Sequence, residues 1–144
     1  MTREEELEIE NKRLENEVHT LSIENRTLRQ RSRAEQRLVL IESPFAGDVD
    51  RNTAYARAAV RDSLLHGEAP FASHLLYTQP GVLRDEVPVE RLIGIDAGLS
   101  WGTMADATVV YQDLGISAGM EKGIYSAQNL GRRVEYRRLP GWTK

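Results

Sequence analysis

The sequence predicts an α/β protein: a small flavodoxin- or Rossmann-like parallel sheet of about four strands with flanking helices, preceded by a long N-terminal coiled-coil helix. Three observations lead there. Residues 1–37 contain no Gly, Pro or aromatic residue and repeat Leu every seven positions. From residue 38 onward, short apolar runs alternate with stretches of helical periodicity, which implies right-handed crossovers and a parallel sheet. The polar and glycine-rich segments fall directly after the apolar runs, where a parallel sheet keeps its ligand-binding loops.

In the N-terminal segment Leu7, Leu14, Leu21 and Leu28 fit heptad position d, and Glu4, Asn11, Val18 and Asn25 fall at a. An apolar seam over four heptads is a coiled-coil pattern. The stretch LENEV (14–18) resembles, in its d-to-a register, the leucine zippers of basic-region transcription factors. That likeness spans about 25 residues and concerns oligomerisation only. Asn at position a lowers stability but fixes register, and Asn faces Asn best across a parallel dimer. Across such a dimer Arg3 attracts Glu8 and Glu24 attracts Arg29, whereas Glu10 repels Glu15. A homodimer through residues 4–30 is expected. Ile9 and Ile23 fall on the outer f position, which the dimer does not explain. Arg26, Arg29, Arg31, Arg33 and Arg37 make the segment's end basic, as suits a solvated junction at a helix C-terminus.

The two parts divide as 1–36, an oligomerisation helix, and 37–144, the α/β domain. RLVLIES (37–43) is a continuous apolar run, as in a strand covered on both faces. Residues 52–67 carry apolar positions at helical spacing and end at Gly67, a C-cap. EAPFASHLLYTQ (68–79) supplies a second short strand and a polar exit. Pro88 suits the first turn of a helix running to about Trp101. ADATVVYQD (105–113) is a third strand, followed by a helix to about Leu130. Gly131 ends that helix, and RRVEYRRL (132–139) is the fourth strand.

Composition narrows the function classes. The chain has 144 residues, a net charge of −3 and no cysteine, so disulfide and thiolate chemistry are out. The charge gives no general attraction to nucleic acid or anionic lipid, and a nucleic-acid partner is not expected. No apolar run approaches the roughly 18 residues of a membrane span, and a cytoplasmic location is expected. No His/Asp/Glu spacing suggests a metal, and no cofactor is expected.

The loops after Ser43, Ser73 and Tyr111 are the candidate site. DLGISAGMEKGIYSA (113–127) opens a helix, with Ser117 as N-cap and with Gly115 and Gly119 allowing close backbone approach. Free N–H groups near Gly119 and Met120 favour an anion. His74 is placed to bond a sugar hydroxyl or phosphate, or to serve the fold. Arg91 is placed to reach a phosphate or to pair with a carboxylate. His66 and His19 read as surface residues.

Taken in order, LIESPFAGD, PFASHLLYTQ, VERLIGIDAG and ADATVVY…DLGISAGM…GRRVEY resemble the nucleoside 2-deoxyribosyltransferase-like superfamily, in its small bacterial and phage branch, over about residues 38–139. The resemblance implies a nucleoside or nucleotide over the strand ends and N-glycosidic chemistry. It implies a base and sugar pocket at Ser43, Pro44 and Phe45, and a 5′-phosphate site at Ser117, Ala118 and Gly119. It also implies a carboxylate nucleophile in a pattern like G-M-x-x-E, because a carboxylate can attack or shield an oxocarbenium-like C1′. This chain reads Gly119-Met120-Glu121-Lys122-Gly123, so Gly stands where the nucleophile is expected. Glu121 points about 200° away around the helix. Asp113 and Glu42 remain as alternative carboxylates, with Asp113 the first choice for a catalytic role.

Three readings follow. One is a nucleotide-binding protein that keeps the pocket without the usual nucleophile. The second is an N-glycosidic bond enzyme working through Asp113 or another carboxylate. The third is an interaction protein whose zipper is the functional part. Ordinary deoxyribosyl transfer is expected to be slow or absent.

Overall fold

The computed structural model describes residues 1–143, with only the backbone of 30–35. The side chains of Arg31 and Arg33 therefore lie outside the described residues. The chain divides into two compact units, Met1–Gln36 and Arg37–Lys144.

The first unit is one helix, α1 (Arg3–Glu35). Thr2 caps it: its hydroxyl accepts the Glu5 amide at 3.3 Å, and the Glu5 carboxylate accepts the Thr2 amide at 2.6 Å. This reciprocal box satisfies amides that a helix start otherwise leaves free. Leu7, Leu14, Leu21 and Leu28 are all exposed on the single chain.

The second unit is the α/β domain. Its elements are β1 (Leu38–Glu42), α2 (Val49–Leu65), β2 (Ala69–Phe71), α3 (Pro88–Gly102), β3 (Ala107–Tyr111), α4 (Ala118–Asn129) and β4 (Arg133–Arg137). The strands pair in the order β2-β1-β3-β4, every pair parallel. This is the flavodoxin-like order, whose topological switch lies between β1 and β3. β3 is central and all five of its residues are buried.

Alternation along the strands separates two cores. Val39, Ile41, Ala107, Val109 and Tyr111 pack with Tyr55 and Ala59 of α2. Leu40, Thr108 and Val110 point to the opposite face. There Gly98 and Gly102 let α3 approach closely, a Cβ at 102 falling 2.7 Å from Leu40 Cδ1.

β2 is shorter than the sequence reading, three residues ending at Phe71. It is an edge strand, which is why Pro70 fits. The chain then turns through a single 3-10 turn, Ser73–Leu75. Arg37 is more than a solvated junction residue. Its guanidinium bonds Glu68 at 2.5 Å and Glu135 at 2.7 Å, and Arg137 bonds Glu68 at 2.6 Å. Burial alone would raise the Glu68 carboxyl, but Arg137, Arg37 and Ser63 bring it down to about 2.

Candidate functional site

Parallel strands deliver their following loops to one edge of the sheet, and the loops after β1, β2 and β3 meet there. They enclose an inner cleft of about 120 Å³. Ser43, Phe45 and His74 line one side, and Arg91, Ser117, Gly119 and Met120 the other. Seven of the expected binding residues are thus brought together. Pro44 is buried and outside the lining. Phe45 and Arg91 also border a broad outer cleft of about 1190 Å³, which adjoins the inner one.

The 3-10 turn after β2 carries His74 to the end of β1. Its Nε2 lies 2.8 Å from Ser43 Oγ, and its ring faces Phe45 at 6.2 Å between centroids. Burial holds the imidazole down at about 4, so it is neutral at pH 7. Its backbone carbonyl is held by Thr78 and Gln79, which fixes the turn. His74 is therefore a neutral, oriented polar group and not a phosphate counter-charge.

Opposite it, Ser117 caps α4 as the sequence suggests, its Oγ accepting the Met120 amide at 3.3 Å. The Ala118 and Gly119 amides in that first turn have no intrahelical acceptor. Arg91 stands beside them: its guanidinium would be 3.8 Å from a Cβ placed on Gly119. It also reaches Asp85 at 3.6 Å. A cation next to open helix-start amides suits an anion, because both terms have the same sign, with Asp85 offsetting part of the Arg91 charge.

Asp113 is placed elsewhere. It accepts from Tyr55 Oη at 2.6 Å, from the Leu139 amide at 2.9 Å and from Thr143 Oγ1. Burial would raise its carboxyl, but these bonds hold it below the usual carboxylate range. It does not line the cleft. Its role is to fasten the segment after β4, where Trp142 packs on Tyr55 at 5.1 Å. Glu121 is exposed.

Glu42, the last residue of β1, does line the cleft, as does the Asp85 carboxylate that faces Arg91. Burial raises Glu42 to about 8, against the opposing pull of Arg132. Sequence reading named it only as an alternative, because a Glu closing an apolar strand looks like an ordinary exit to solvent. Tyr77 and Asp85, also on the cleft wall, carried no signal in the sequence. Among the described residues no group of three His, Asp or Glu side chains could hold a metal ion, and no helix is long and apolar enough to cross a membrane.

Residues 37–137 match the family described as a domain of unknown function, DUF7768. The chain belongs to that family. No curated protein matches it. The DUF7768 match begins at the residue that opens the α/β unit and ends with the last residue of β4, so α1 stands outside it.

Proposed function

We propose that the DUF7768 domain binds a nucleoside 5′-monophosphate over the carboxyl ends of β1 and β3, as its resemblance to the deoxyribosyltransferase-like superfamily implies. The observation that carries this reading is the Arg91 guanidinium beside the open first turn of α4, inside the same cleft as Ser43 and His74. The phosphate sits against Arg91 and the Ala118 and Gly119 amides. Ser43 and neutral His74 meet sugar hydroxyls, and the Phe45 ring meets the base. An inner cleft of about 120 Å³ is smaller than the roughly 300–1,000 Å³ of a typical ligand pocket. The base therefore extends toward the outer cleft past Phe45. Glutamate-dependent deoxyribosyl transfer from α4 has no place in this reading, since residue 123 is Gly.

Calorimetry with matched nucleoside and nucleoside 5′-monophosphate pairs tests it. The monophosphate should bind more tightly by about 1.5–3 kcal/mol, the worth of a hydrogen bond to a charged group. Arg91→Gln should remove most of that preference. Equal affinity for both ligands would mean that the α4 start is only a capped helix.

The helix α1 pairs two such chains. Its support is the Leu7, Leu14, Leu21 and Leu28 ladder, exposed on a single chain, with Asn11 and Asn25 in the same seam. Light scattering on the full chain and on residues 37–144 decides it. A dimer that becomes a monomer is expected, and equal monomeric masses would remove the zipper.

A further inference from the structure

Glu42 ends β1 on the sheet face that α4 covers, and Gly123 is the buried α4 residue that meets it. A Cβ on residue 123 would lie 2.5 Å from the Glu42 carboxyl carbon, so any side chain there would evict the carboxyl group. Glycine at 123 is what gives Glu42 its seat. From that seat Glu42 lines the inner cleft and also a smaller cavity of about 70 Å³ bounded by Ile95 and Leu99. Gly119 borders both cavities and lies four residues before Gly123, about 6 Å along the helix. The Glu42 carboxyl group is therefore one helical turn in from the open amides of α4.

The seat leaves the group unsatisfied. Among the described residues the Glu42 carboxyl group makes no hydrogen bond and no ion pair. Every fully buried polar side-chain atom among them does have a partner, so the Glu42 oxygens are open to the cleft. A carboxyl group held in a mostly apolar seat without a partner costs stability. A ligand that supplies the partner removes that cost.

The cleft wall holds a second hydrogen-bonding station. Ser43 Oγ and His74 Nε2 lie 2.8 Å apart, and the Ser43 hydroxyl keeps capacity for one bond more. Both stations are uncharged near neutral pH, since burial holds His74 at about 4 and Glu42 at about 8. A protonated carboxyl group donates one bond and accepts another, which matches a hydroxyl. An ammonium group suits it less, because Arg132 already pulls on this carboxyl group and Arg91 lines the same cleft. The other ionisable groups nearby are committed or turned away. Asp85 faces Arg91 at 3.6 Å, the Tyr77 hydroxyl accepts from Trp101 Nε1, and Arg132 holds Thr108 Oγ1 and the Gly102 carbonyl. Glu121 and Lys122 of α4 are exposed.

We propose that the inner cleft reads two hydroxyl groups beside its anion, one at the Ser43–His74 pair and one at Glu42, and so prefers a ribonucleoside monophosphate to its deoxy counterparts. The proposal rests on the binding reading above. A ribose offers two ring hydroxyls beside a 5′-phosphate, one for each station, whereas a deoxyribose offers one. With either hydroxyl missing, one station stays empty, and a site built to bond a hydroxyl rejects the analogue that lacks it. The family resemblance names a 2-deoxyribosyl group, so the preference runs against what that resemblance implies. Glu42 is the specificity-determining residue, and Gly123 is the positioning residue that makes room for it.

The test is calorimetry on the full-length protein with ribonucleoside 5′-monophosphates and their 2′-deoxy, 3′-deoxy and amino-for-hydroxyl counterparts. The ribo form should bind roughly 5- to 100-fold more tightly than either deoxy form, the effect of leaving a buried polar group unpaired. Glu42→Gln, which copies the protonated carboxyl group, should keep that preference. Glu42→Leu, shown folded by circular dichroism, should lose it at one of the two hydroxyls. Above about pH 8 wild type should bind every monophosphate more weakly, as the ionised carboxylate repels the phosphate, and Glu42→Gln should not. Equal affinity for ribo and both deoxy forms, an undiminished preference in Glu42→Leu, or an amino counterpart that binds more tightly than the ribo form overturns the proposal and leaves the binding reading standing. A wild type that binds no monophosphate overturns the binding reading, and the proposal with it.

Discussion

Two carboxyl groups stand at the carboxyl ends of neighbouring strands, and their surroundings are opposite. Asp113, just past β3, is surrounded by donors: a tyrosine hydroxyl, a backbone amide and a threonine hydroxyl. Glu42, closing β1, has none among the described residues. Asp113 faces the α2 side through Tyr55, whereas Glu42 faces α4 through Gly123. The same chemical group is therefore pushed in opposite directions, Asp113 downward and Glu42 up to about 8. Closeness to a strand end does not make a carboxylate functional. Its unspent hydrogen-bonding capacity and its access to a cleft are better guides.

The largest effect that would sharpen this contrast comes from forcing a second carboxylate into the Glu42 seat. Gly123→Glu puts side-chain atoms where the Glu42 carboxyl group already lies. Overpacking costs about 1–3 kcal/mol, and a like charge adds to it. Urea unfolding should show at least that loss. Adding Glu42→Ala to Gly123→Glu should recover most of it, because the double variant returns the seat to one carboxyl group. Equal instability of the single and double variants would mean that position 123 has no special relation to Glu42.

Asp113→Ala probes the opposite member. It strips the acceptor from Tyr55 Oη and the Leu139 amide, and both residues are buried. An orphaned donor costs about 1–3 kcal/mol, and two at the lower end of that range give a stability loss near 2–3 kcal/mol in thermal unfolding. Affinity for a nucleoside monophosphate should stay unchanged at a temperature where the variant is folded. A variant that unfolds normally but no longer binds would place Asp113 in the ligand site after all.

How much of this was legible in the sequence depends on range. The helix and strand positions were, because apolar periodicity, Pro88 and the Ser117 cap are local signals. That seven of the named residues meet in one cleft was also legible, since a parallel sheet sends successive loops to one edge whatever their side chains do. The standing of Glu42 as a partnerless cleft carboxyl group was not. Glu42 becomes distinctive only against Gly123, which lies on a different element far along the chain, and no local pattern reports that meeting. Asp113 looked catalytic for the complementary reason. Its partners Tyr55, Leu139 and Thr143 are also distant in sequence, so its saturation was invisible. β2 ends at Phe71, two residues before the loop after Ser73 that the sequence points to, because Ser73–Leu75 form a 3-10 turn, which the sequence does not signal.

The pH dependence of stability should separate the two groups by sign. Glu42 has a folded value above its ordinary one, so the native state holds a proton that the unfolded chain releases between about pH 4.5 and 8. Its contribution therefore declines across that window as pH rises. Glu42→Gln should remove the decline and make the protein more stable at pH 8, by on the order of 2 kcal/mol once partial exposure is allowed for. Asp113, lowered in the folded state, contributes stability that is present above its ordinary value and lost in acid. Asp113→Asn should flatten the acid limb only. Urea midpoints from pH 3 to 9 measure both, and a Glu42→Gln curve parallel to wild type would show that the carboxyl group is not held protonated.

The smallest expected effect is the most demanding of the comparison, because it asks whether the two groups are independent. Glu42 and Asp113 share no hydrogen-bond partner among the described residues, and they engage helices on opposite faces of the sheet. Sites without shared partners add within about 0.3–0.5 kcal/mol. The stability change of Glu42→Gln with Asp113→Asn should therefore equal the sum of the two singles to that precision at pH 7. The sheet offers one route for coupling: β1 and β3 are adjacent, so a shift in one strand end is felt by the other. A coupling energy well above 0.5 kcal/mol would mean that fastening the segment after β4 sets the position of β1, and thereby of the Glu42 seat. In that case Asp113 would act on the cleft through the sheet, and its bonds to Tyr55 and Leu139 would be part of how the site is built.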